Sequence, residues 1–260
     1  MVITNVETFS KMNKKGGRDT VIQYEREQHI LSYLEGRHAC TVAELARTVF
    51  ASEASVRRDL ARLEKEGIVC RVYGGVVLSK YQNASLPLSV RRQENVSQKE
   101  RIAQEAAALV PDGATVFLDA SSTAGRVGKY LSHVHRLRII TNSATLVETL
   151  SDTPHEIWLT GGRYLRENRA FEGAEAENFV RSINIDWLFF SSQGLTLGGE
   201  ITDSSEAETS LRRVLLTRSR HKIFLCDSSK LGVRRMFTVC SRDDVDRIIC
   251  DKEIEWEDKP

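Results

Sequence analysis

Apolar residues recur every three or four positions in the first third of the chain, and from residue 98 they gather instead into short, nearly continuous runs. From Gln23 to Leu34 the stripe is Ile30, Leu31 and Leu34, which predicts a first helix. In TVAELARTV, Thr41 and Glu44 form a Thr-x-x-Glu capping box that opens a second. Phe50 and Ala51 make a short turn, and Ser52 is the N-cap of a third helix stopping at Gly67. IVCRVYGGVVL then reads as two β-branched strands around Gly74-Gly75, a small hairpin. These elements predict a unit over residues 21–79, preceded by a disordered leader over 1–20 and followed by a polar linker over 80–97 that contains Pro87.

Residues 98–260 form the second predicted unit. A helix from Lys99 to Val110 precedes the strand ATVFLDA, and a Ser/Thr turn, a helix through Leu131 and the strand LRIITNS follow. A further helix, then EIWLTGG, IDWLFFSS, a helix from Ala207 to Ser219, HKIFLCDSS and DRIICD complete the series. Apolar strands alternating with helices predict an α/β fold with a mostly parallel sheet covered on both faces.

Composition narrows the class. Apolar residues are 41% and charged residues 28%, enough to bury a core, and the net charge is +1. Residues 1–80 carry 13 Lys+Arg against 10 Asp+Glu, or +3, and residues 81–260 carry 24 against 26, or −2. A mildly basic front and acidic back suit a nucleic-acid reader joined to another module. The five cysteines are scattered without a CxxC pair, so no metal or cofactor is expected and the thiols are read as reduced. No apolar run reaches the roughly 18 residues that span a bilayer, which predicts a cytoplasmic protein with no membrane partner.

The third helix carries the first candidate site. At about 100° per residue Val56, Leu60 and Leu63 face inward, leaving Ala54, Ser55, Arg58, Ala61 and Arg62 outside with Arg57 on the flank. Small polar residues at the start and guanidinium groups a turn later match a helix docking in a major groove. Glu53, Ala54 and Ser55 then point at base edges, while Arg57 and Arg58 hold phosphates. A solvated face of mixed charge, with Glu64, Lys65 and Glu66, is the competing reading.

The stretch ASEASVRRDLARLEKEGIVCRVYGGVVL resembles the signature of DeoR-type bacterial transcriptional regulators, close to VSxxTIRRDLxxLExxGxxxRxHGGA. The resemblance continues through LPLSVRRQENVSQKERIAQEAAALVPDGATVFLDASST, TNS at 141–143, GGRYLRENRAFEG at 161–173, ITDSSEAE at 201–208 and DSSK at 227–230. It implies a winged helix-turn-helix that binds double-stranded operator DNA, with Thr41, Ser52, Arg62, Arg71, Tyr73, Gly74 and Gly75 added to the contact set. It also implies a C-terminal domain like ribose-5-phosphate isomerase and glucosamine-6-phosphate deaminase that senses a phosphorylated sugar, in a homo-oligomer, dimer or tetramer. Tyr73 stands where histidine is common, and Ser121-Ser122-Thr123 where the pattern is Gly-Thr-Thr. That departure and FFSSQG are similar to the branch that regulates fucose catabolism.

Independently of the resemblance, hydroxyl-bearing strand ends suit an anion. Ser121, Ser122 and Thr123 follow a strand and open a helix, whose positive dipole end favours negative charge. Thr141, Asn142, Ser143, Gly161 and Gly162 end the next two strands at the carboxyl edge where open α/β sheets bind ligands. Arg163 or Lys230 supplies charge, and Asp119, Gly194, Asp203 and Glu206 complete the candidate effector set. Capping and tight turns are the competing explanation for these motifs. Asp203, Glu206 and Lys230 also fit an isomerase- or deaminase-like enzyme, and the front module alone fits an architectural DNA binder. The reading taken forward is a regulator of a carbohydrate catabolism operon, a repressor with an activator as alternative, and no catalytic residues.

Overall fold

The computed structural model describes residues 18–37, 39–66, 68–72, 75–78 and 88–257. The predicted leader at 1–17, Gly67, Tyr73, Gly74 and the linker stretch 79–87 lie outside the described residues. Contacts divide the chain into two compact units, one up to Gln82 and the other from Asn83.

The first unit holds helices α1 (Arg18–Arg37), α2 (Val42–Thr48) and α3 (Glu53–Lys65), and strands β1 (Ala39–Cys40), β2 (Val69–Val72) and β3 (Gly75–Leu78). Helix α1 starts earlier than its stripe suggests, within the segment predicted as leader. Thr41 accepts from the Glu44 amide while Glu44 reaches back to the Thr41 amide, the reciprocal cap expected. Ser52 accepts from the Ser55 amide in the same way. Strand β3 pairs with β2 and also with β1, so the expected hairpin is a three-stranded antiparallel sheet in the order β1-β3-β2. Val56, Leu60 and Leu63 of α3 pack against Ile30, Leu34 and Leu45 in one buried cluster.

The second unit begins earlier than expected. Its α4 (Leu88–Arg91) and the start of α5 (Val96–Ala107) fall inside the stretch read as linker. Leu88 and Arg91 are buried, the Leu88 amide donates to Glu167 O at 2.9 Å, and Asn95 Nδ2 donates to Asp227 Oδ1 at 2.8 Å. Polar composition misled here because these side chains are anchored by polar partners rather than left in solvent.

Strands β4 (Thr115–Leu118), β5 (Arg138–Thr141), β6 (Glu156–Leu159), β9 (Ile185–Phe190), β12 (Ser219–Cys226) and β14 (Arg247–Cys250) form a parallel sheet in the order β14-β12-β9-β4-β5-β6. Alternation assigns its two faces. Val116, Leu118, Phe189 and Leu225 pack with α5, and Phe117, Leu188, Phe190 and Phe224 pack beneath α8 (Ala174–Arg181) and α9 (Glu206–Arg218). Two small antiparallel sheets add to this core: the hairpin β7 (Arg163–Leu165) with β8 (Ala170–Glu172), and β10 (Gly194–Leu195), β11 (Glu200–Asp203) and β13 (Phe237–Ser241) in that order. The chain builds outward from β4 to β5 and β6, then returns to place β9 on the other flank of β4. The carboxyl ends of β4 and β9 are therefore a topological switch point, where such sheets open a crevice.

Candidate functional site

The candidate residues fall on two surfaces, one in each unit. On α3, Glu53, Ala54, Arg57 and Arg58 are exposed and Ser55 is half-buried. Arg57 pairs with Glu53 at 3.0 Å one turn away, a bond between two exposed groups that a phosphate can replace at little cost. Among the described residues Arg58 makes two long contacts, to Ala54 O and Ser55 Oγ, both at 3.4 Å. Arg71 on β2 pairs with Glu64 at 3.1 Å and donates to Arg57 O, tying the sheet to the helix. Gly75 opens β3.

Arg62 differs from its neighbours. It is half-exposed, but its guanidinium is ion-paired with Glu27 of α1, whose side chain is buried. The residue before Glu27 makes the converse pair: Arg26 grips the buried Asp59 of α3 at 2.5 and 3.0 Å. The α2–α3 turn holds one strained residue, Phe50, at φ 51° and 97% exposed.

In the second unit, a cavity sits at the switch point. Its free volume is about 10 Å³, room for about one water. Ser121, Ser122 and Thr123 after β4 form one wall, and Ser191, Ser192 and Gln193 after β9 another. Asp203, Arg212, Asp227, Lys230 and Arg91 complete it. Every lining residue except Lys230 is buried, and the Lys230 ammonium makes no hydrogen bond or ion pair among the described residues. The Ser122 hydroxyl is equally unengaged.

Charge is concentrated at the floor. Buried Arg212 donates to Asp119 at 3.1 Å and Asp203 at 2.7 Å, with Glu208 at 3.7 Å. Burial opposes its charge, but Glu208, Asp203 and Asp119 together hold its pKa above the ordinary arginine value. Burial pushes the Glu172 carboxyl up to about 8, helped by the charge of Glu208. Neither Glu172 oxygen has a hydrogen-bond partner. Lys99 donates to Arg91 O at 2.6 Å, and burial brings its pKa down to about 8.

Several residues read from sequence as effector ligands do other work. Thr141 donates to Leu118 O, Asn142 accepts from the Ala120 amide, and Ser143 caps α7 (Ala144–Leu150); these three lock the tips of β4 and β5 together and do not line the cavity. Gly162 has φ 109°, and a Cβ there would meet Glu172 O at 2.7 Å, so it serves packing. Gly161, Gly194 and Glu206 do not line the cavity either, and Arg163 lies exposed on β7. The helix that Ser121, Ser122 and Thr123 are expected to open is only four residues, α6 (Ala124–Val127), continued by a 3-10 turn. A dipole that short contributes little, so the groups in the cavity suited to an anion are its hydroxyls and Lys230.

With Asp203 held by Arg212, Gln193 and the Ser205 amide, and Glu206 outside the cavity, the carboxylates expected of an enzyme are not poised as bases. Arg91, Ser191, Ser192, Gln193, Arg212 and Asp227 are the lining residues that sequence reasoning missed. Of these, the serines after IDWLFF and Asp227 of DSSK were visible, as strand ends at the sheet's carboxyl edge.

A helix with exposed arginines that follows a capped helix and a short turn, in a chain whose second unit has a polar crevice at its sheet's switch point, fits the class of DNA-binding transcriptional regulators. Comparison with known proteins identifies which kind. Residues 26–82 match the DeoR-like helix-turn-helix domain and residues 94–252 the DeoR C terminal sensor domain. The HTH-type transcriptional regulator GolR of Listeria innocua is 34% identical over 89% of this chain and 91% of its own. The HTH-type transcriptional repressor GlcR of Bacillus subtilis is 30% identical over 88% and 89%. The L-fucose operon activator of Haemophilus influenzae is 29% identical over 88% and 92%. Among solved structures, ribose 5-phosphate isomerase A from Methanocaldococcus jannaschii aligns with a TM-score of 0.38 and 16% identity over 53% of this chain and 55% of that one. The chain belongs to the DeoR family of transcriptional regulators, and it is a regulator rather than an enzyme. Among the described residues no helix is long and apolar enough to cross a membrane.

Proposed function

We propose that the chain regulates a carbohydrate operon, as a repressor, by binding operator DNA through α3 and releasing it when a phosphorylated sugar enters the cavity at the β4–β9 switch point. The observation that carries this is the Lys230 ammonium, without a hydrogen bond or ion pair among the described residues, lining the same cavity as buried hydroxyls, Ser122 among them. A phosphate needs both a cation and several donors, and the half-exposed Lys230 beside buried hydroxyls offers that combination. The names of GlcR and of the L-fucose operon activator support the carbohydrate context.

Room for about one water cannot hold a sugar phosphate, so binding requires the walls to part. A ligand that selects the parted state shifts the protein toward it, and operator affinity follows if the two states differ there. A homodimer would present two copies of α3 to the two halves of an operator.

Thermal unfolding against a panel of sugar phosphates tests the sensor half. A ligand at about 100 times its Kd stabilises the native state by about 2.7 kcal/mol. The same ligand should release operator DNA in a mobility-shift assay, and Lys230→Ala should lose both responses. Stabilisation that Lys230→Ala leaves intact would move the effector elsewhere. The relatives' names differ on the sign of regulation, and the activator reading is favoured if a reporter behind the operator falls silent on deletion of the gene.

A further inference from the structure

Beyond Ser122 lies a second cavity. Its free volume is about 190 Å³ against about 10 Å³ for the first, and its lining is Arg92, Ser122, Gly125, Arg126, Lys129 and Thr149. Ser122 is thus a wall common to both, and consecutive residues at the end of α4 serve them, Arg91 the first and Arg92 the second.

The second cavity is rich in positive charge. The Arg92 guanidinium makes no hydrogen bond or ion pair among the described residues. Burial, then the charges of Arg126 and Arg169, pull its pKa below the ordinary arginine value, with Glu148 opposing. Arg126 pairs with Glu100 and donates to Arg92 O at 2.6 Å, but its Nε is buried with no partner. Lys129 lies 3.3 Å from Glu100. The three lining cations, Arg92, Arg126 and Lys129, against Glu100, which pairs with two of them, leave a formal +2, the charge a phosphate dianion neutralises. A purely structural network would pair Arg92 as it pairs Arg126.

We propose that this chamber is an oxyanion subsite for the second anionic group, phosphate or carboxylate, of a two-headed effector whose first phosphate lies against Ser121–Thr123 and Lys230. The proposal rests on the reading of the first cavity as the effector site. The shared Ser122 wall favours one bridging molecule over two separate anions.

Isothermal titration of the full chain at fixed ionic strength tests it, with fructose 1,6-bisphosphate, fructose 6-phosphate and inorganic phosphate as probes. The variants are Arg92→Met with Lys129→Met for the chamber, and Lys230→Ala for the first cavity; Arg126 is kept because it holds Glu100 and α4. The bisphosphate should bind about tenfold or more tighter than the monophosphate, as a charge-assisted contact provides. The double variant should bring the two within about twofold while leaving the monophosphate's affinity and the unfolding midpoint unchanged. Equal binding of both sugars, untouched by the double variant, overturns the subsite, and the effector reading survives that result if Lys230→Ala still weakens the monophosphate. Inorganic phosphate that binds through Arg92 and Lys129 alongside fructose 6-phosphate, with no gain for the bisphosphate, overturns the two-headed effector in favour of a separate anion. Absence of binding by all three probes overturns the subsite and the effector reading together.

Discussion

Replacing Glu172 with glutamine should make the second unit more stable, and by an amount that grows with pH. In the folded chain the carboxyl is fully buried, has no hydrogen-bond partner, and titrates at about 8. In the unfolded chain it titrates near 4.5. A raised folded pKa means that the contribution is whole below about pH 4.5 and is lost as pH rises toward 8, because over that span only the unfolded state releases the proton. Each pH unit costs about 1.4 kcal/mol, so the wild type loses roughly 3 kcal/mol between pH 4.5 and pH 7 and roughly 4 by pH 8, where the folded carboxyl is itself half ionised. Glutamine has no proton to release. The difference between Glu172→Gln and wild type, from urea unfolding followed by tryptophan fluorescence at half-unit steps, should therefore rise over this range and level off above pH 8. A flat difference from pH 5 to pH 8 would mean that folded Glu172 is already ionised, which would refute the account of a neutral acid beside Glu208 and Arg212.

Three further outcomes follow from the first unit. Arg57→Ala with Arg58→Ala should weaken DNA binding across sequences and reduce the slope of log K against log salt by about 1.8 per α3, about 0.9 for each phosphate no longer neutralised, read by fluorescence anisotropy at several salt concentrations. Phe50→Asn should raise stability by about 0.5–1 kcal/mol in urea titrations, because asparagine tolerates the left-handed backbone at φ 51° and an almost fully exposed ring gives up no packing. Asp59→Ala should destabilise the first unit by about 2 kcal/mol, less than the loss of a fully buried pair because Arg26 stays one-fifth exposed, and chemical denaturation monitored by circular dichroism will measure it.

The elements written in the sequence were those held together by their own periodicity. Val56, Leu60 and Leu63 mark the inner face of α3, and the runs around Val116, Ile139, Leu188 and Phe224 mark the parallel strands. Strands β1 and β10 have two residues each and owe their existence to pairing with distant partners, so no local pattern announces them. The site divides the same way. Ser121–Thr123 and Lys230 sit at strand ends and were legible, whereas Arg212 is defined by Asp119, 93 positions away, and looks in sequence like any arginine on a helix. Thr141, Asn142 and Ser143 show the opposite hazard: a hydroxyl-rich strand tip can spend its donors on its own scaffold.

On the proposed role of α3 as the reading helix, the pairing of Arg62 with Glu27 would act as a means of discrimination before any base is touched. If a phosphate draws Arg62 away, it strands a carboxylate that has almost no access to water. Random duplex can offer Arg62 little beyond that exchange, so promiscuous attachment is discouraged. Only a sequence that returns enough through the rest of α3 makes the swap worthwhile, and neutralising Glu27 should leave a protein that clings to DNA indiscriminately.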